Sequence, residues 1–204
     1  MIRVSALDRQ EQAARAPVLP ASVWMLGFSG HRRLKNEPAV RLAVRSEIAR
    51  VTVAATKHGA RLEAVSSLAL GADLLFAEEC LAAGVTWRCL LPFPEQEFRN
   101  DDFPDGEWSR AEACLARATE VKTVSVMVPR LREDREAAYA ACSRSTVQAA
   151  DLMMFVWDGR PAGGPGGTGE AWHEAERANK PRWSLDPETQ AITSLNWPGG
   201  GRSP

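Results

Sequence analysis

Two short stretches hold residues whose types and spacing suit anion chemistry. The first is Gly27-Phe-Ser-Gly-His-Arg-Arg33, which follows the apolar run Val23–Phe28. Ser29 offers a hydroxyl, Gly30 allows close backbone approach, and Arg32 and Arg33 are charge-assisted donors suited to phosphate. His31 has the chemistry of a general acid or a base-edge contact, and equally that of a cap beside a turn. The second stretch is Gly163-Gly-Pro-Gly-Gly-Thr-Gly-Glu170, after the apolar run Asp151–Trp157 and before Ala171–Asn179, which reads as a helix. Six glycines fall between 159 and 169. A strand, a glycine-rich loop and a helix present bare backbone N–H groups at a helix N-terminus, where a phosphate is favoured. Gly166 and Gly167 would supply the backbone. Thr168 is a candidate helix N-cap or phosphate ligand, and Glu170 would contact a ligand hydroxyl or favour the helix dipole. Asp158 closes the preceding strand.

A third cluster, Ser66-Ser-Leu-Ala-Leu-Gly-Ala-Asp73, holds Ser66, Ser67, Gly71 and Asp73. The serines have the groups to hold ribose or phosphate, while Gly71-Ala-Asp73 reads equally as a helix start. Arg144 either reaches the same region or forms a surface ion pair. Trp157 and Phe93, at strand ends, are candidates to stack on a base.

The elements that would position these residues alternate. Strands are expected at Val23–Phe28, Leu62–Ser66, Thr86–Leu91, Val121–Val128, Asp151–Trp157 and Pro181–Leu185. Helices are expected at Pro38–His58, Asp73–Ala83, Glu107–Ala118, Arg132–Ala150 and Ala171–Asn179, with 95–106 acidic and irregular. Val40, Val44, Ile48, Val51 and Ala55 recur at three- and four-residue spacing and give the first helix one apolar face. The pattern implies a doubly wound, mainly parallel α/β sheet of Rossmann-like type in one domain. Every special loop lies at a strand's carboxyl end, so the loops should meet in one cleft. Residues 1–21 read as a flexible arm, 22–186 as the domain, and 187–204 as a mobile tail.

With 204 residues, 25 Lys and Arg against 26 Asp and Glu, and 45% hydrophobic residues, the chain suits one globular domain. Balanced charge gives no general support for nucleic-acid or membrane-surface binding. Cys80, Cys89, Cys114 and Cys142 form no C-x-x-C pair, and His31, His58 and His173 have no metal-ligand spacing, so no metal is expected. There is no membrane-length apolar segment, and Met1–Asp8 lacks a signal core. A cytoplasmic location follows as the expectation.

Taken together, Gly27–Arg32, Ser66–Asp73, Leu91-Pro-Phe-Pro94, Val156–Gly159 and Gly166-Gly-Thr168 resemble the SLOG superfamily. That group includes the Lonely-guy cytokinin-activating proteins, their lysine decarboxylase-like relatives and the DNA-processing protein A group. The resemblance covers roughly residues 22 to 185. It implies a Rossmann-like domain that binds a nucleotide or nucleotide-derived ligand, with Gly166, Gly167 and Thr168 holding phosphate and Ser29, Gly30 and His31 facing them. Some relatives cleave the N-glycosidic bond of nucleoside monophosphates, others are thought to sense nucleotide signals, and dimers are common among them. The hydrolases resemble P-G-G-x-G-T-x-x-E. Here Pro165–Gly169 fits, but Glu170 replaces the threonine, His173 stands at the glutamate position and Glu174 follows it. One residue turns a side chain by about 100° on a helix, so the non-hydrolase branch fits better.

The leading expectation is therefore binding of a nucleotide, as a sensor, with no further cofactor. The alternative is a nucleoside-5′-monophosphate phosphoribohydrolase, with Glu170 or Glu174 steadying the ribosyl cation or positioning water and Arg144 holding substrate. A third is single-stranded DNA binding, which the balanced charge disfavours.

Overall fold

The computed structural model describes residues 19–20, 22–103, 107–161 and 166–196. Its centre is β1 (Val23–Gly30), a strand with buried residues along its length. Around it lie β2 (Arg61–Ser66), β3 (Thr86–Leu91), β4 (Glu120–Thr123), β5 (Leu152–Val156), β6 (Arg182–Leu185) and β7 (Ile192–Leu195). The sheet order is β4-β3-β2-β1-β5-β6-β7, parallel throughout except for the antiparallel β6–β7 pair. Among the described residues, the helices are α1 (Glu37–Lys57), α2 (Ala72–Ala82), α3 (Glu95–Asp102), α4 (Trp108–Leu115), α5 (Arg132–Ala149) and α6 (Thr168–Arg177).

Parallel strands covered on both faces must be apolar on both, and β5 meets this with Leu-Met-Met-Phe-Val. Leu152, Met154 and Val156 join a core with Val40, Val44, Ile48 and Val51 of α1 and Leu74 and Phe76 of α2. Met153 and Phe155 join a second core with Cys142 and Val147 of α5 and Trp172 and Ala175 of α6. One core thus lies on each face, and the chain is a single-domain, mostly parallel α/β fold, as the alternation of elements implies.

Several local expectations change. The acidic stretch 95–106 contains α3: Glu95 and Glu97 occupy a first turn that favours negative charge, and Phe98 is buried beneath it. The fourth strand is short. Beyond Thr123, Val124 and Ser125 continue the hydrogen bonding, to Leu91 and Pro92, and no later residue up to Val128 extends it among the described residues. The apolar residues that suggested a strand to 128 are instead exposed, Val126 at 84% and Met127 at 75%. The last helix starts at Thr168, three residues before Ala171. The expected tail contains β7, after a turn in which Asp186 Oδ1 accepts from the Glu188 and Thr189 N–H groups at 2.8 Å. The N-terminal arm, apart from 19–20, and residues 197–204 lie outside the described residues.

Candidate functional site

The chain runs from β1 through β2 and β3 to β4 on one side, then returns to place β5 against the other edge of β1. This reversal makes the β1–β5 border the topological switch point, where open α/β sheets bind ligands. The loops leaving β1 and β5 diverge there around a cleft of about 520 Å3, a volume suited to a small ligand.

The floor is built by the β1 loop. The His31 N–H donates to Val156 O at 3.1 Å, extending the ladder, and its carbonyl accepts from Ala72 N at 3.0 Å. Gly30 sits so close to α2 that a Cβ there would lie 2.5 Å from Ala72 Cβ. Gly71, at φ +100°, has the Arg32 carbonyl where its own Cβ would be. Asp73 then accepts from the Gly30 N–H through Oδ1 at 3.0 Å. The β1 and β2 loops are thus locked together by backbone contacts that only glycines permit.

The far wall is α5, whose Glu136, Tyr139, Cys142, Ser143 and Thr146 line the cleft. Their spacing of three and four residues places them on one helix face. Arg32 lies 4.9 Å above the Tyr139 ring and forms an ion pair with the buried Asp102 of α3. Asp102 Oδ2 also accepts the Leu70 N–H at 2.6 Å. Tyr139 Oη donates to Asp101 Oδ2 at 2.7 Å.

The third side is the start of α6. Gly166 has φ +76°, and a Cβ on it would meet the Tyr139 carbonyl carbon at 2.6 Å, so the loop lies flat on the backbone of α5. Gly167 is the N-cap and has no side chain to cap with. The N–H groups of Thr168 and Gly169 have no acceptor within the helix by geometry, and both residues line the cleft.

Burial pushes the Asp73 carboxyl up to about 7, against the pull of the Gly30 N–H and Arg32. Burial likewise raises Asp102, although Arg32 and Leu70 oppose it. The Cys142 thiol, buried against Leu90 O at 3.3 Å, is pushed up to about 12 by burial, which leaves it a poor nucleophile. Asp158 goes the other way: burial favours its neutral form, but the Arg160 N–H and His31 outweigh that and hold it below its ordinary value.

Of the residues expected from the sequence, Ser29, Gly30, His31, Arg32, Ser67, Asp73, Gly166, Gly167 and Thr168 line the cleft. Trp157 lines it too, packed against Trp172 at 5.3 Å. The others take different places. Gly27 packs against β5 and the residue that follows α5, where a Cβ would run into Met153 Sδ and lie 2.6 Å from Ala150 Cβ, so it is a packing glycine. Ser66 is fully buried and accepts the Trp87 indole N–H at 3.0 Å. Gly71 shapes the loop without lining the cleft. Asp158 holds His31 at 3.2 Å, one step back from the lumen. Arg144 is exposed on α5 and points away from the cleft. Phe93 is buried against Phe98 and Tyr139.

The two glutamates considered for glycosidic chemistry are both outside the cleft lining. Glu170 accepts the Gly166 N–H at 2.7 Å, and Glu174 pairs with Arg177. Thr168 is the first helical residue, one position past the cap. Gly163, Gly164 and Pro165 lie outside the described residues. Residue type alone does not single out Tyr139, Ser143 and Thr146, although their helical spacing marks a common face. Asp102 carried no such mark within an acidic run.

Among the described residues, no group of histidine, cysteine and acidic side chains could hold a metal ion, and no helix is long and apolar enough to cross a membrane. The arrangement defines a Rossmann-like α/β protein with a cleft at its switch point. No family model matches the chain, and no curated protein matches it. Among solved structures, it is similar to DNA processing protein A from Helicobacter pylori, described for its single-stranded DNA binding. The TM-score is 0.51 at 17% identity, over 80% of this chain and 65% of that one. The chain therefore spans 65% of that protein's length, and the likeness is one of fold.

Proposed function

We propose that the cleft binds a nucleotide or nucleotide-derived ligand, with an anionic group of that ligand on the N-terminus of α6. The observation that carries this reading is the uncapped start of a ten-residue helix, opening on a cleft at the sheet's switch point. Free N–H groups and the helix dipole act together there on a negative charge. Trp157 and Tyr139 add aromatic surface for a base, and Ser29, Ser67, Ser143 and Thr168 add hydroxyls. The SLOG resemblance points the same way, towards a sensor of nucleotides. Hydrolysis through Glu170 or Glu174 is left without support by their positions.

Isothermal titration with AMP, ADP-ribose, NAD and cyclic nucleotides tests the reading, together with the variant Gly167→Asp. At φ −73° and ψ 166° this position accepts any residue, and Asp is among the preferred N-caps. The variant should be as stable as the parent or a few tenths of a kcal/mol more stable. Its carboxylate would occupy the anion position, so affinity should fall by about tenfold or more. Folded protein that binds none of these compounds would sink the reading.

Single-stranded DNA binding is a second reading, favoured by the fold shared with DNA processing protein A. The cleft's carboxylates, Asp73 and Glu136, weigh against a polyanion there. Fluorescence anisotropy with a labelled oligothymidine at low salt separates the two. Binding that weakens steeply with salt and is indifferent to mononucleotides would favour the DNA reading.

A further inference from the structure

The nucleotide reading leaves open what the floor of the cleft recognises. Asp73 is 7% exposed, and its Oδ1 is engaged by the Gly30 N–H. Its other oxygen, Oδ2, has no hydrogen-bond partner among the described residues and is not enclosed, so it opens on the cleft that the residue lines. A ligand that fills the cleft and covers this oxygen must therefore supply a donor to it, because the protein supplies none. The donor's chemistry is constrained by its surroundings. A second anion is disfavoured by the carboxylates of Asp73 and Asp102. A metal cation would find Asp73 beside the Arg32 guanidinium, whose charge Asp73 also feels, and among the described residues no cluster of further ligands completes a site for it. A neutral donor remains, and Ser29 and Ser67 flank it with hydroxyls able to donate or accept.

We propose that Asp73 is the cleft's specificity residue for sugar hydroxyls: it accepts a hydrogen bond from the ribose of a bound nucleotide through Oδ2, while Oδ1 holds the β1 loop in place. This rests on the nucleotide reading and adds to it which part of the ligand the floor selects. It distinguishes ribonucleotides from analogues lacking the sugar hydroxyls, because a ligand that closes over Oδ2 without a hydroxyl there strips water from the acceptor and returns no hydrogen bond.

The test is isothermal titration of the full chain with AMP, 2′,3′-dideoxy-AMP and inorganic phosphate, repeated on Asp73→Asn. The asparagine Oδ1 can still accept from Gly30, so the loop is kept, while the NH2 group in place of the open acceptor can meet a sugar hydroxyl only by donating to it, a weaker bond than one accepted by a carboxylate. A thermal melt confirms folding. The wild type should bind AMP about tenfold or more tighter than the dideoxy analogue. In Asp73→Asn that gap should shrink below about threefold, with phosphate affinity unchanged or improved. Equal affinity of the wild type for AMP and its dideoxy analogue would overturn the proposal without a variant, as would an undiminished gap in Asp73→Asn. Phosphate bound with neither nucleotide overturns it too, and binding of none of the three removes the nucleotide reading along with it.

Discussion

Asp73 shows how burial changes the behaviour of a common residue. In the fold its carboxyl is pushed up to about 7 by burial, near the Gly30 N–H, Arg32 and Asp102, with the thiols of Cys89 and Cys142 also close enough to feel it. In the unfolded chain an Asp titrates near 3.9. The folded state therefore holds its proton more tightly. The stability this lends is full below about pH 4, falls as the pH rises and is lost by about pH 7. Asparagine has no such dependence. Urea melts from pH 4 to 8 should show Asp73→Asn gaining on the wild type up to about pH 7 and levelling above it, by no more than about 4 kcal/mol. A pH-independent difference would contradict the assigned environment. Single residues were also the hardest to place from sequence. Ser66 and Ser67 are neighbours with the same chemistry, yet only Ser67 lines the cleft. Ser66 is the last residue of β2 and turns into the core against Trp87, whereas Ser67 begins the loop beyond the strand, and which of them meets the cleft depends on the layers packed there.

Helices and loops follow the local sequence more closely, and their departures from it have physical causes. The run from Val121 to Val128 has strand composition but only Leu91 and Pro92 remain to pair with beyond Thr123, so the chain turns away. The glycine loop tightens at Gly166, where positive φ and contact with the backbone of α5 both exclude a side chain. Gly166→Ala should cost about 1–3 kcal/mol in urea unfolding and weaken ligand binding, because the loop must lift from Tyr139. On the opposite face, Glu79 is 3% exposed and bonds Arg41 at 2.9 Å and Arg45 at 2.7 Å. Arg41 and Arg110 share Glu37 and Glu78, tying α1, α2 and α4 into one network. Replacing Glu79 by Ala leaves both arginines short of a partner and should lower stability by about 1–3 kcal/mol, read by the same melts, with ligand affinity unchanged.

Across the molecule, the sheet favours one place for ligand chemistry, because the crossover that brings β5 beside β1 opens a border where, among the described residues, neighbouring loops diverge by topology. The same sheet gives the C-terminal segment a structural task. β7 pairs along Arg182–Leu185 and covers what would be an open strand edge. Truncation after Pro187 should lower the melting temperature by several degrees and promote aggregation, as followed by light scattering during heating. A truncated protein that melts unchanged would return this segment to the status of a tail.

The order of apolar runs, glycine loops and amphipathic stretches determined the α/β class, because those periods follow from the backbone geometry of each element and need no distant partner. It also singled out both loops that border the cleft, since glycine and terminal N–H groups advertise themselves locally. What only the tertiary structure decided is which side chains meet. Tyr139, Asp102 and Arg32 come from three elements far apart in sequence, and Glu170 and Glu174 are turned aside by partners one helical turn away. Contacts of that kind depend on helix rotation and layer packing, which local sequence does not encode. The open oxygen of Asp73 is a product of that packing: the sequence held an ordinary helix-start aspartate, and burial between two loops left one of its oxygens facing the floor of the cleft.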